Sequence, residues 1–135
     1  MGEAALKIIA VCVSAIMLAG CQSTAEFQAS IDGAKPAPAS IKAAIVDAAR
    51  DQLFDPYSIR DAEISYMQLN KTNGVHWLCV KANSKNRLGG YTGRQSVEVN
   101  IRNGKLIGSL ENSPACNNSS LKWQRFPQLE ALKNL

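Results

Sequence analysis

An apolar run over Ile8–Ala19, interrupted only by Ser14, opens the chain. From residue 22 to residue 40 no period of two or 3.6 persists. Ser, Thr, Ala, Gly and Pro dominate there, ending in Lys35-Pro36-Ala37-Pro38. Phe27 and Ile31 stand four apart, enough for one short helical turn. A helical period then begins. Ile41, Ala44, Ile45 and Ala48 recur on one face, with Lys42, Asp47 and Arg50 off it. Ser40 is placed to cap this helix, and Asp55-Pro56 to end it, because proline disfavours helical geometry in the residue before it.

Two alternating stretches follow, each centred on an Asn-Gly pair, whose residues accept the positive φ of a tight hairpin. With Asn73-Gly74 as the first turn, Leu69 faces Leu78, Met67 faces Val80 and Ser65 faces Ala82, while Ile64, Tyr66, Trp77 and Cys79 share the other face. With Asn103-Gly104 as the second, Ile101 faces Leu106, Val99 faces Gly108 and Val97 faces Leu110. The pattern predicts an α+β domain: one N-terminal helix on a four-stranded antiparallel sheet. A C-terminal segment with Leu121, Trp123, Phe126, Leu129 and Leu132 is expected to cover the opposite face. Pro127 is placed to start a short helix there.

The N-terminal run is too short to span a bilayer, which takes about 20 apolar residues, and has the length of a signal-peptide core. It closes in Leu18-Ala19-Gly20-Cys21. That tetrad resembles the lipobox of bacterial lipoproteins, in which small residues admit a protease and the cysteine thiol takes a diacylglyceryl group. The resemblance implies a signal over 1–20 and lipid (thioether diacylglycerol, with acyl chains such as palmitate) on Cys21. The aperiodic Ser, Thr, Ala, Gly and Pro content that follows predicts a flexible tether over 21–39, and the remaining length a single domain over 40–135. Gln22, rather than Asp, follows the cysteine, which favours the outer membrane with the domain facing the periplasm. An ordinary N-terminal membrane anchor is the alternative.

Of the four cysteines, Cys12 leaves with the signal and Cys21 carries lipid. Cys79 and Cys116 remain, and an oxidising compartment predicts a disulfide between them. One histidine and no CxxC spacing argue against a metal site, and no cofactor is expected.

Net charge is +4, which suits an acidic partner or an anionic surface only weakly. The stretch from Lys81 to Arg94 concentrates it: Lys81, Lys85, Arg87 and Arg94, with no acid. Gly89, Gly90 and Gly93 allow close backbone approach. The expectation is an anion-binding loop of Lys81, Lys85, Arg87, Gly89, Gly90, Tyr91 and Arg94, with backbone amides and a flat Tyr91 assisting the cations. Its targets would be anionic lipid, lipopolysaccharide phosphates or an acidic envelope protein. The alternative is a solvated loop whose glycines only shape turns. It is neither a phosphate loop nor a dinucleotide fingerprint.

Asp55-Pro56-Tyr57-Ser58-Ile59-Arg60, together with Asn83, Lys85, Asn86 and Gly89-Gly90-Tyr91-Thr92-Gly93, resembles a group of small uncharacterised proteobacterial lipoproteins. These share an Asn-x-Lys-Asn-x-x-Gly-Gly-Tyr-Thr-Gly segment after a strand. The likeness spans roughly residues 41–108. It implies a common domain and carries no activity.

Catalysis is not expected. His76 stands alone beside a turn, and nothing pairs Asp55, Asp61 or Glu63 as acid and base. The Ser119-Ser120 pair has no neighbouring base. The compartment argues against nucleic acid. The sequence therefore suggests a non-catalytic binding or structural module. Alternatives are an inhibitor of a cell-wall-degrading enzyme, which a basic chain suits poorly against basic lysozymes, or an outer-membrane assembly factor, whose Gly-Met-Ser/Thr helix start is missing here.

Overall fold

The computed structural model describes residues 25–135. The expected signal 1–20, Cys12 and the lipidation residue Cys21 lie outside the described residues. The first element, α1, is helical over residues 25–32. Helix α2 (Ala39–Gln52) follows. Strands β1 (Arg60–Ser65), β2 (Gln68–Asn70), β3 (Val75–Asn83), β4 (Gln95–Arg102), β5 (Lys105–Glu111) and β6 (Trp123–Arg125) form one antiparallel sheet, and α3 (Pro127–Glu130) with a 3-10 turn over Ala131–Asn134 ends the domain. The sheet order is β5-β4-β3-β1-β6, with β2 also paired to β3. No helix of the described residues is long and apolar enough to cross a membrane.

The helical period of α2 does what its spacing predicts. Ile41 and Ile45 are buried, and Val46 and Ala49 pack beside them. Each buried isoleucine contributes about 2 kcal/mol of apolar transfer. The start differs: Pro38 holds the N-cap position and no side chain caps the helix, so Ser40 sits in its first turn. The main core lies between this helix and Ile64, Leu78, Val80, Val99 and Ile101 of the sheet.

The antiparallel α+β expectation holds in outline, and four details are corrected. First, the sheet has six strands rather than four. The predicted first strand breaks at Tyr66-Met67, where Met67 turns from β3 and exchanges backbone bonds with Lys35 (3.1 and 2.7 Å). Second, the first hairpin closes through four residues, with Asn70 opposite Val75 and the Gly74 amide on the Asn70 carbonyl (2.9 Å). Leu69 therefore faces His76, and beyond the break Ile64 faces Val80. Ile64 thus joins the α2 core rather than the Cys79 face, and Ser65 lies opposite Cys79, its Oγ accepting the Cys79 amide (2.8 Å). Third, Ile101 does face Leu106, but a bulge at Ile107 moves the rest by one residue, so Leu110 faces Glu98. Fourth, the C-terminal segment divides. Leu121 and Trp123 cover the Trp77 face as expected, while Phe126, Leu129 and Leu132 cross to the α2 side. The strand β6 makes that crossing by pairing with β1.

The expected tether also shortens. The Phe27 ring stacks on Trp77 (centroids 5.8 Å apart), and Ile31 is 3% exposed against Trp77, Cys79, Cys116 and Leu121. Ala37 is buried in the main core. The four-residue spacing of Phe27 and Ile31 is thus an amphipathic helix that finds apolar surface. The Cys79–Cys116 disulfide forms beneath it, with Cα atoms 5.6 Å apart.

Candidate functional site

The loop from Lys81 to Arg94 starts on β3 and ends just before β4. Its central part is a tight hairpin, in which Lys85 pairs with Tyr91. Asn86 organises it. Its Oδ1 accepts the amides of Leu88 (2.9 Å) and Gly90 (3.2 Å), and its carbonyl accepts that of Gly89 (3.0 Å). These are the amides expected to meet an anion, and they are spent inside the loop. Gly89 takes φ +78°, a left-handed conformation that suits glycine. Gly90 does not, and a Cβ there would meet nothing within 4 Å.

The hairpin is fastened to the 3-10 turn over Pro56–Ser58. Ser58 Oγ accepts the Lys85 amide (2.8 Å) and donates to the Asp55 carbonyl (2.8 Å). The Tyr91 hydroxyl donates to the Ser58 carbonyl (2.7 Å), and the Arg60 guanidinium lies 3.6 Å from the Tyr91 ring centre. Tyr91 is therefore a fastening side chain rather than a flat exposed contact. The two sequence segments that carry the lipoprotein resemblance are in this way one interlocked unit. The residues at its hub, Ser58, Arg60 and Asn86, stand in those segments but were not among the expected binding residues. Their signal was present in the two segments, since an Asn two residues before an amide it can accept is a turn-former.

The four cations separate into two places. Lys85 and Arg87 stand at the exposed hairpin end. The Arg87 guanidinium is 5.2 Å from the Phe54 ring centre, and Lys85 Nζ is 5.8 Å from that of Tyr91. Apolar groups share this tip: Leu88 is 94% exposed, Phe54 60% and Tyr57 53%. The acids nearest in sequence are Asp51, exposed, and Asp55, half-buried. Lys81 and Arg94 lie apart from the tip, on the sheet face that carries Cys79. Arg94 Nη1 pairs with Glu63, and Lys81 Nζ sits 4.3 Å from the Trp123 ring centre. They open on a polar cleft with Ser96, Asn112 and Asn117, three residues the sequence reading did not select.

Catalytic groups are not assembled in this region. His76 lies on β3 between Leu69 and Ile101. Among the described residues no three of His, Cys, Asp and Glu come together as a metal site. The tip presents Lys85 and Arg87 to solvent, and the cleft brings Lys81 and Arg94 beside three neutral polar side chains. No protein-family model, characterised protein or solved structure matches this chain, and the geometry of these residues is what bears on its function.

Proposed function

We propose that the protein is a lipid-anchored envelope module without catalysis, held to the outer membrane through Cys21, whose exposed tip contacts an anionic component away from the anchoring bilayer. The lipobox-like Leu18-Ala19-Gly20-Cys21 supports the anchor. The observation that carries the direction of contact is the placement of α1. Its first residues lie beside Asn70, Lys71 and Thr72, at the start of β3, and Phe27 packs on Trp77. The tip projects beyond Asn83, at the other end of the same strand. From Trp77 to Asn83 a strand rises about 20 Å. The four peptide steps from Cys21 to residue 25 span at most about 14 Å. A docked α1 thus keeps its own end of the domain near the lipid and favours an outward tip.

The chemistry of the tip suits a weak, reversible contact. Exposed ion pairs contribute about 0–1 kcal/mol each and are screened by salt. Covering Phe54 or Leu88 adds roughly 1–2 kcal/mol apiece. Anchoring compensates by raising local concentration.

The test places the lipidated protein in neutral phosphatidylcholine nanodiscs and adds separate vesicles. Phosphatidylglycerol vesicles should be captured at low salt and released as salt rises, and neutral vesicles ignored. Phe54→Ser/Arg87→Ala/Leu88→Ser should abolish capture while the fold is retained. Equal capture by this variant, or none by the wild type, would reject the tip as the contact.

A further inference from the structure

The polar cleft on the Cys79 face has a composition of its own. It is a half-open depression of about 330 Å³ between Lys81 of β3, Arg94 and Ser96 at the start of β4, Asn112 after β5, and Asn117. That volume is at the small end of ligand sites. Every lining side chain carries a hydrogen-bond donor and none is a carboxylate.

Separate features of the fold bring these residues together. Lys81 and Ser96 are register partners across β3 and β4. Asn112 takes φ +53°, and its amide donates to the Ser96 carbonyl (2.8 Å), which turns the chain across the cleft mouth. The 3-10 turn Pro114–Asn117 is held to β3 by the Cys79–Cys116 disulfide, so Asn117 adjoins a cysteine bonded two strand positions from Lys81. Neighbouring carboxylates set the charge. Glu63 pairs with Arg94, and Glu98, opposite Cys79, takes the Ser113 hydroxyl. Lys81 and Arg94 are thus balanced by Glu63 and Glu98, which stand beside the lining, while the lining itself carries only the two cations.

We propose that this cleft binds one carboxylated sugar unit. The two lining cations converge where one carboxylate can be held. Lys81 takes the carboxylate together with the Arg94 N–H groups that the Glu63 pair through Nη1 leaves open. Ser96, Asn112 and Asn117 supply both donors and acceptors, as sugar hydroxyls require. This inference rests on the reading that the outward end of the domain meets an anionic envelope component, and names that component's chemistry as an acidic glycan. It uses none of the tip residues, so the two can fail separately.

The experiment is an amide-resolved NMR titration of the disulfide-bonded, lipidated protein in neutral nanodiscs, with glucuronate, glucose, acetate and inorganic phosphate as probes. Glucuronate at millimolar concentration should shift the amides of Lys81, Arg94, Ser96, Asn112 and Asn117 together, and more than any other probe does. Lys81→Gln should weaken its binding about tenfold or more, the loss of one charge-assisted contact. Asn117→Ala, on the exposed turn, should weaken it while leaving the rest of the spectrum in place. The tip variant should bind glucuronate normally. No clustered shift, an equal response to glucose, acetate or phosphate, or unaltered binding by both cleft variants would overturn the proposal.

Discussion

Reducing the Cys79–Cys116 bond isolates the contribution of the crosslink, because both sulfur atoms are kept and both cysteines are buried in an apolar cluster that accepts thiols readily. The residues are 37 apart in sequence. In the chain-entropy description, closing a loop of that length costs the unfolded chain about 13 cal/mol/K, or about 4 kcal/mol at room temperature. A domain of this size has an m-value of roughly 1.5 kcal/mol/M in urea. The reduced protein should therefore unfold about 2.5 M earlier in urea than the oxidised protein. Cys79→Ala/Cys116→Ala should unfold earlier still, since removing two buried sulfurs adds roughly 1 kcal/mol each. Trp77 lies in the same cluster and reports the transition by fluorescence. A reduced protein whose midpoint moves by less than about 0.5 M would refute the reasoning. It would mean that packing around Leu121 and Trp123 holds the C-terminal segment without the bond.

Ile31→Ala should cost about 2–4 kcal/mol and loosen α1, seen as a lower urea midpoint and faster amide exchange over residues 25–32. Ser58→Ala removes the acceptor of the Lys85 amide. It should cost about 1 kcal/mol and speed amide exchange across Lys85–Tyr91, where an unchanged hairpin would show that the fastening is redundant. Gly89→Ala should destabilise by about 1–2 kcal/mol because of its positive φ. Gly90→Ala should stay within about 0.5 kcal/mol, and equal costs in thermal melts would contradict the different roles given to the two glycines.

The legible parts of this fold were those with a repeating signal. The four-residue recurrence around Ile41 and Ile45 located α2. Alternation around Asn103-Gly104 placed the second turn, and the pairing of Ile101 with Leu106 followed. The two remaining cysteines announced their bond. What escaped was set by single irregular residues. Nothing local in Tyr66-Met67 says that Met67 will pair with Lys35, and that one break moves Ile64 to the other face. Three residues of β6 are too few to show a period, so the crossing of Phe126 to the α2 side was invisible. The sequence also singled out the loop cations without separating them. Lys85 and Arg87 stay at the tip, whereas the strand register carries Lys81 and Arg94 to a cleft whose other residues come from Ser96, Asn112 and Asn117. Their convergence depends on long-range pairing and the disulfide, which no short window contains.

The central claim is an anchored domain that holds its tip away from its own bilayer. It is tested most directly by paramagnetic broadening from headgroup spin labels, measured on the lipidated protein in nanodiscs. The account predicts strong broadening at Phe27 and at Lys71–Thr72, and little at Arg87 and Leu88. Strongest broadening at Arg87 and Leu88, or none in any part of the domain, would contradict it.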